Sequence, residues 1–411
     1  MTATRPWPAL LLFATALGLR LAFVLAYPQQ PLLADSLDYD RLARSVASGR
    51  GFRDAHGEPE TLRAPLYPLF VAGLYRIGGP DPARVRAAQA VLGALVPVAV
   101  LSLGLACFRP RVAWLAAAVV ACYPAFVAYT GLVLTETLAC LLVSVVALAA
   151  VRAASTRSLA WSALLGMALG LTALCRAELA AVALAMGLAT LALPAGSWGA
   201  RLARAAAMGV CFLLVLLPWT IRNYRTLGAF VPLTTDGWRT LWIASYPERW
   251  LEWKAEEPVL SIEAGAKGPL ERSQRFRAAA LDNLRSHPGA YGAMVLRRVP
   301  LLLIGGHSNT IAGLEGTTAD SRGLVLLLKL ALLALNTLLL LLAAAGLWLC
   351  RGRWPALWPL YVTLLVPPIV YLLLFAVPRY LIPVMPTGCL FAAEAVLWLP
   401  RARGTALEPA G

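Results

Sequence analysis

Apolar runs of about 20 residues dominate the sequence, and no other feature limits the available folds so strongly. An α-helix rises about 1.5 Å per residue, so such a run matches the roughly 30 Å hydrocarbon core of a bilayer. Inside lipid every backbone N–H and C=O must be satisfied within the spanning structure, which leaves helices or closed barrels. These runs are too long for barrel strands. They read as ten spans, near 8–27, 83–107, 112–130, 132–151, 158–175, 178–194, 203–221, 324–349, 355–377 and 380–399. Composition agrees: 60% of residues are hydrophobic and 14% charged, against roughly 25% charged in ordinary soluble domains. The expected fold is an all-α polytopic membrane protein.

Arginines in short connections orient such a chain. Arg5, Arg109, Arg111, Arg152, Arg157, Arg201, Arg204, Arg351, Arg353, Arg401 and Arg403 fall in alternate connections, which places them, with both termini, in the cytoplasm. Of the 21 acidic residues, all but Glu394 and Glu408 then lie on the opposite side. Polar work is therefore expected on the outer face. The chain divides into an N-terminal membrane module (1–221, with a first outer loop at 28–82), an outer segment (222–323) and C-terminal spans (324–411). The run at 288–306 would carry Arg297 and Arg298 at its centre if it crossed, so an interfacial amphipathic helix is expected there. The first apolar run lacks a small-residue cleavage site, which argues against a removable signal peptide.

The net charge of +15 raises the question of nucleic acid, but the basic residues form no aromatic-interleaved stripe and no recognition module is readable. All seven cysteines lie in or beside apolar spans, without a CxxC spacing, and read as small buried apolar residues. His56, His287 and His307 have no ligand spacing.

Residues 28–68 carry six carboxylates: Asp35, Asp38, Asp40, Asp54, Glu58 and Glu60. Within them Asp35 can cap a helix, with Asp38 three residues on, and Tyr39, Leu42, Ala43 and Val46 share one face before Gly49 stops the run. A second short helix, 65–77, ends at Gly78-Gly79-Pro80. Asp38-Tyr39-Asp40 is formally a DxD, but a helix splays the two carboxylates apart. Arg63, Arg222 and Arg379 are outer-face arginines that break the positive-inside trend, either by snorkelling or by holding an anion. Arg176 and Glu178 flank a tight turn. Arg20 lies within the first span, where pairing with a carboxylate such as Glu136 would account for it. Trp238, Trp242, Tyr246, Trp250 and Trp253 could stack on sugars or form a core.

Several stretches carry a family resemblance: ADSLDYDRLARSVASGRGF, RAPLYPLFVAGLY, LTETLACLL at 134–142, LPWTIRNYRTLGAFVPLTTDG at 217–237 and PRYLIPVMP at 378–386. In this order the chain resembles the GT-C class of integral membrane glycosyltransferases, nearest to bacterial relatives of protein O-mannosyltransferases and the lipid A aminoarabinose transferase. The resemblance implies a GT-C-like architecture and inverting sugar transfer from a polyprenyl-phosphate donor to a glycan, lipid or protein acceptor. It implies work at the periplasmic face of a bacterial inner membrane. Asp35 stands at the family's catalytic aspartate in the first outer loop and would serve as general base. Arg63, with Arg222, Arg379 and Tyr380, would hold the lipid phosphate or donor. Asp38, Tyr39, Glu136 and Arg176 would contact the acceptor or support the site. No metal or other cofactor is expected to be obligatory. The alternative class is a secondary transporter or lipid-linked sugar flippase, which would place charges deep within several spans.

Overall fold

A computed structural model describes residues 7–27, 32, 34–55, 57–246, 256–304 and 322–405. Among these the chain is helical, with no strand and only an isolated antiparallel bridge between Arg53 and Pro59. Membrane-type helices are α1 (Trp7–Ala26), α4 (Pro82–Cys107), α5 (Pro110–Cys122), α6 (Pro124–Thr130), α7 (Glu136–Thr156), α8 (Leu159–Cys175), α9 (Ala180–Ala192) and α10 (Trp198–Leu227). They continue after the outer segment as α15 (Arg322–Leu349), α16 (Trp354–Leu373) and α17 (Met385–Thr405). The first outer loop supplies α2 (Asp35–Ala47) and α3 (Leu66–Gly78). The outer segment supplies α11 (Gly237–Ser245), α12 (Glu256–Glu263), α13 (Pro269–Ser286) and α14 (Pro288–Ile304).

The chain is a multi-pass membrane protein. Six of the described helices are long and apolar enough to cross a bilayer, and a bent pair, α5 and α6, makes a seventh candidate. A helix stands at each of the ten expected spans, but α8, α9 and the apolar part of α17 are shorter than that criterion. The tenth run begins later than expected, because 378–381 is a 3-10 turn and the helix starts only at Met385.

Small residues set the helix contacts. Gly166 and Gly170, spaced as in GxxxG, put α8 against α10 so closely that a Cβ on Gly166 would lie 2.1 Å from the Met208 carbonyl oxygen. Gly346 allows the same approach of α15 to the backbone of Phe391 on α17. Leucines such as Leu213, Leu214, Leu327 and Leu341 stay exposed on the outer sides of α10 and α15, as lipid-facing residues do.

The bend of 48° between α5 and α6 explains Arg20. Pro124 has no N–H, so the Val120 carbonyl loses its helical donor. Arg20, 1% exposed, donates to the carbonyl oxygens of Val120 (3.4 Å), Ala121 (3.1 Å) and Ala16 (3.0 Å). The expected pairing with Glu136 does not occur; the arginine replaces missing backbone donors instead. Arg298 serves a similar purpose. It is 2% exposed and donates to the Leu372 carbonyl (3.2 Å) at the C-terminal turn of α16 and to the Ala244 carbonyl ending α11. The Arg298 charge is thus turned into the protein, while Arg297 and Leu296 on the same helix are exposed. At 17 residues α14 falls below the crossing criterion.

An orphaned buried carbonyl costs about 1–3 kcal/mol. Arg20→Met is therefore expected to lower stability in detergent by about 2 kcal/mol or more. Pro124→Ala restores a donor to Val120 and should recover part of that loss in the double variant. Thermal unfolding of the four proteins in the cycle checks this.

Candidate active site

The site is a cavity of about 690 Å³ at the end of the bundle where the first outer loop and the outer segment meet. Its walls come from α2, residues 60–64, the turns at 134–136 and 175–178, the outer helices α11 to α13, and residues 371–380. All three stretches of the chain contribute.

Asp35 lies at its centre, and its role as helix cap does not hold. The capping position is Ala34, whose φ of 47° places it in the left-handed region, and no side chain caps the helix. Asp35 is the first helical residue, so its carboxylate projects sideways into the cavity. Oδ1 accepts from Arg63 Nη2 at 2.8 Å, and Oδ2 accepts from Arg379 Nη2. The same Arg63 nitrogen also donates to Asp38 Oδ2 at 2.8 Å. Burial alone would push the Asp35 carboxyl up. The two guanidiniums outweigh it and hold the group down at about 2.

Below this triad lies a second ionic layer. Arg176, 7% exposed, donates through Nε to Glu178 at 2.9 Å and through Nη1 to Thr135 at 3.2 Å, and its Nη1 lies 3.5 Å from Glu136. Its guanidinium sits 4.8 Å above the Tyr380 ring and 5.9 Å above that of Tyr371. Glu136 Oε1 is also 3.9 Å from Arg379 Nε, which ties the two layers together, while its buried Oε2 has no hydrogen-bond partner.

Asp35, Asp38, Tyr39, Arg63, Glu136, Arg176, Arg379 and Tyr380, all candidates from the sequence, therefore line one cavity. Tyr39 also packs edge-on against Tyr67, 5.1 Å between centroids, which joins α2 to α3. Asp40 is turned away from Asp38. It is buried, accepts from Arg44 Nε at 2.7 Å and from the Tyr75 hydroxyl, and so secures the α2–α3 pair. Among the described residues no three His, Cys, Asp or Glu side chains converge in a metal-binding group.

Arg222 is not brought into the cavity. Its guanidinium donates to the carbonyl oxygens of Glu60 (2.9 Å) and Phe52 (2.8 Å) and lies 4.7 Å above the Trp219 ring. It clamps the first outer loop to α10. Trp242 is core: it packs with Phe276 at 5.4 Å and with Tyr246 at 5.2 Å, and Trp238 lies under Arg277. Neither these tryptophans nor Tyr246 lines the cavity; Trp250 and Trp253 fall outside the described residues, as do His56 and His307. Sequence reasoning missed Tyr371, Asp236, Arg239, Glu263 and Arg272 as lining residues. Their positions in the outer segment and at the end of α16 carry no local pattern that points to a cavity.

Chemically, the cavity offers a carboxylate between two guanidiniums. Arg63 meets Asp35 and Asp38 through Nη2 alone, whereas Arg379 is engaged by Asp35, Glu136 and the Tyr380 hydroxyl. Its volume falls within the range of small-molecule sites.

A family model described as dolichyl-phosphate-mannose-protein mannosyltransferase matches residues 62–221. That range contains Arg63, Glu136 and Arg176 but neither Asp35 nor Arg379. Among solved structures, the chain is similar to the archaeal oligosaccharyltransferase AglB from Archaeoglobus fulgidus in complex with an inhibitory peptide and a dolichol-phosphate. The identity is 15%, coverage is 98% of this chain and 52% of that one, and the TM-score is 0.56. The apo form of the Archaeoglobus fulgidus oligosaccharyltransferase gives 14% identity, 99% and 53% coverage and a TM-score of 0.56. ArnT from Cupriavidus metallidurans bound to undecaprenyl phosphate gives 15% identity, 98% and 80% coverage and a TM-score of 0.45. The chain spans about half the length of the archaeal proteins it matches. No curated protein sequence matches it. The fold is GT-C-like, as in the archaeal oligosaccharyltransferase, and residues 62–221 are similar to the protein mannosyltransferase family.

If Arg222 is a clamp, Arg222→Ala should release the loop at 48–62. Limited proteolysis is expected to cut there faster, and the thermal midpoint should fall, reflecting about 1–3 kcal/mol from the Glu60 carbonyl, since the Phe52 carbonyl keeps its bond from the Glu60 N–H at 3.1 Å.

Proposed function

We propose that this GT-C-fold membrane protein is a glycosyltransferase that moves a sugar from a polyprenyl-phosphate donor to a glycan, lipid or protein acceptor. The reaction takes place at the outer, periplasmic face of the inner membrane, with both termini cytoplasmic and ten crossings in all. The observation that carries this reading is the meeting of Asp35, Arg63 and Arg379 in one cavity at the end of a lipid-facing bundle. Carboxylate and guanidiniums there match the two needs of the reaction.

In the step itself, the acceptor hydroxyl oxygen attacks the anomeric carbon. Its proton passes to Asp35, the bond from C1 to the phosphate oxygen breaks, and the bonding electron pair leaves on the phosphate. Direct displacement inverts the anomeric centre. Arg63 and Arg379 stabilise the charge that develops on the departing phosphate. Tyr380 and Arg176 form the floor beneath them, with Glu136 holding both Arg176 and Arg379. Asp38 holds Arg63 from the solvent side, and Tyr39 lies under the same guanidinium at 5.5 Å. The archaeal relative's dolichol-phosphate ligand supports a lipid-phosphate donor for this fold.

A transporter or flippase would need unsatisfied charge along a path through the bundle. Arg20 donates through both Nη atoms to carbonyls, and Glu394 pairs with Arg109 at 3.0 Å, although Arg20 Nε and Glu394 Oε2 are buried without partners. The transferase reading stands on the cavity instead.

Removing a positioned general base costs about 10²–10⁴-fold in rate. Asp35→Asn is expected to lower transfer from polyprenyl-phosphate sugars in proteoliposomes by that factor. Undiminished transfer by this variant would exclude Asp35 as the base. Arg379→Gln should also slow transfer, and it should weaken binding of polyprenyl phosphate.

A further inference from the structure

We propose that, before donor binds, Asp35 is held by the very guanidiniums that bind the donor phosphate, and that donor binding displaces it. This inference rests on the transferase reading and concerns how that same site is regulated.

The geometry supports it directly. Asp35 uses both carboxylate oxygens on two arginines that lie 316 positions apart in sequence, Arg63 and Arg379. A carboxylate bound in this way has both oxygens drawn toward guanidiniums, and its basicity is depressed by the two neighbouring cations. A general base works best when it is not held far below the operating pH. The resting arrangement is therefore unsuited to the reaction it is placed to perform.

Donor arrival changes the balance. Arg63, which meets Asp35 and Asp38 through Nη2 alone, can receive the first phosphate oxygen on its remaining N–H groups. Beyond that contact, phosphate and carboxylate are like charges competing for the same N–H groups in a half-buried chamber. Among the described residues the cavity wall already holds eight carboxylates against seven guanidiniums. A further anion there favours separation of Asp35 from the pair. Arg63 keeps a partner through the exchange, because Asp38 accepts from the same Nη2. Asp35, once released, regains basicity toward the acceptor hydroxyl while the arginines hold the leaving group. Ordered addition follows, donor before acceptor.

The experiment measures binding of a short-chain polyprenyl phosphate to the full chain in nanodiscs, with transfer assayed in parallel. Asp35→Asn should bind polyprenyl phosphate about tenfold more tightly than wild type while losing transfer. Asp38→Asn removes the same charge beside Arg63 but engages only one arginine, so its tightening should be at least threefold smaller. Asp35→Glu, which keeps the charge, should return affinity to near the wild-type value, and thermal midpoints establish that each variant is folded. The displacement idea is overturned if Asp35→Asn binds no more tightly than wild type, or no more tightly than Asp38→Asn. Retention of transfer by Asp35→Asn would instead overturn the assignment of the base, so the two failures are separable.

Discussion

The ion pair between Asp35 and its two arginines determines how the rest of the molecule has to be arranged. One carboxylate in a cavity, held by guanidiniums from the first outer loop and from the connection before the last helix, fixes the relative positions of the two ends of the chain. Neither a helix nor its lipid exposure demands that contact. It forms because isolated charges are costly in such a chamber and each partner lowers the cost of the other. The second layer, Arg176 with Glu136 and Glu178, extends the same logic downward and hands Arg379 a second anion from below.

The scaffold holds this cluster by placing charge wherever backbone has been left unsatisfied. Arg20 supplies donors lost at Pro124, Arg222 ties down the carbonyls of Phe52 and Glu60, and Arg298 caps the end of α16 and α11. The Tyr291 hydroxyl adds a bond to the Leu373 carbonyl beside it. All of these arginines stand in or next to apolar surroundings, and all serve irregular backbone that hydrocarbon would not tolerate. Their guanidiniums suit the task, since several N–H groups in a planar fork can reach two or three carbonyls at once.

This distinction sets the limit of what the sequence discloses. The apolar runs, the two short helices of the first outer loop and the splaying of Asp38 from Asp40 follow from periodicity and length, which are local properties. Asp35, Arg63, Arg379, Glu136 and Arg176 could be nominated because charged residues at the ends of apolar runs are few. Whether such an arginine faces an anion or a carbonyl is a tertiary matter, and there the reading divides. Arg222 in WTIRNY and Arg379 in PRY look alike in sequence, yet one clamps a loop and the other meets Asp35. Asp35 itself satisfies the rule for a cap, but the left-handed turn at Ala34 moves the boundary by one residue and turns the side chain outward to the cavity. The tryptophans at 238 and 242 follow the same pattern, since an aromatic cluster has equal use in a core or around a sugar.

Residues 1–221 contain Asp35, Arg63, Glu136 and Arg176, but not the guanidinium that engages the second oxygen of Asp35. Arg379 arrives only once α16 has packed on α7 and α9 and the chain has turned through 374–384. α16 ends where it does because Arg298 and Tyr291 of α14 bind its last carbonyls, so the outer segment helps to set the height of Arg379 above the membrane module. A truncated N-terminal module would leave Asp35 with one guanidinium, Glu136 without its link to the upper layer, and the cavity open on one side. The site is therefore a property of the assembled chain, and its completion marks the joining of the first outer loop to the last helical pair.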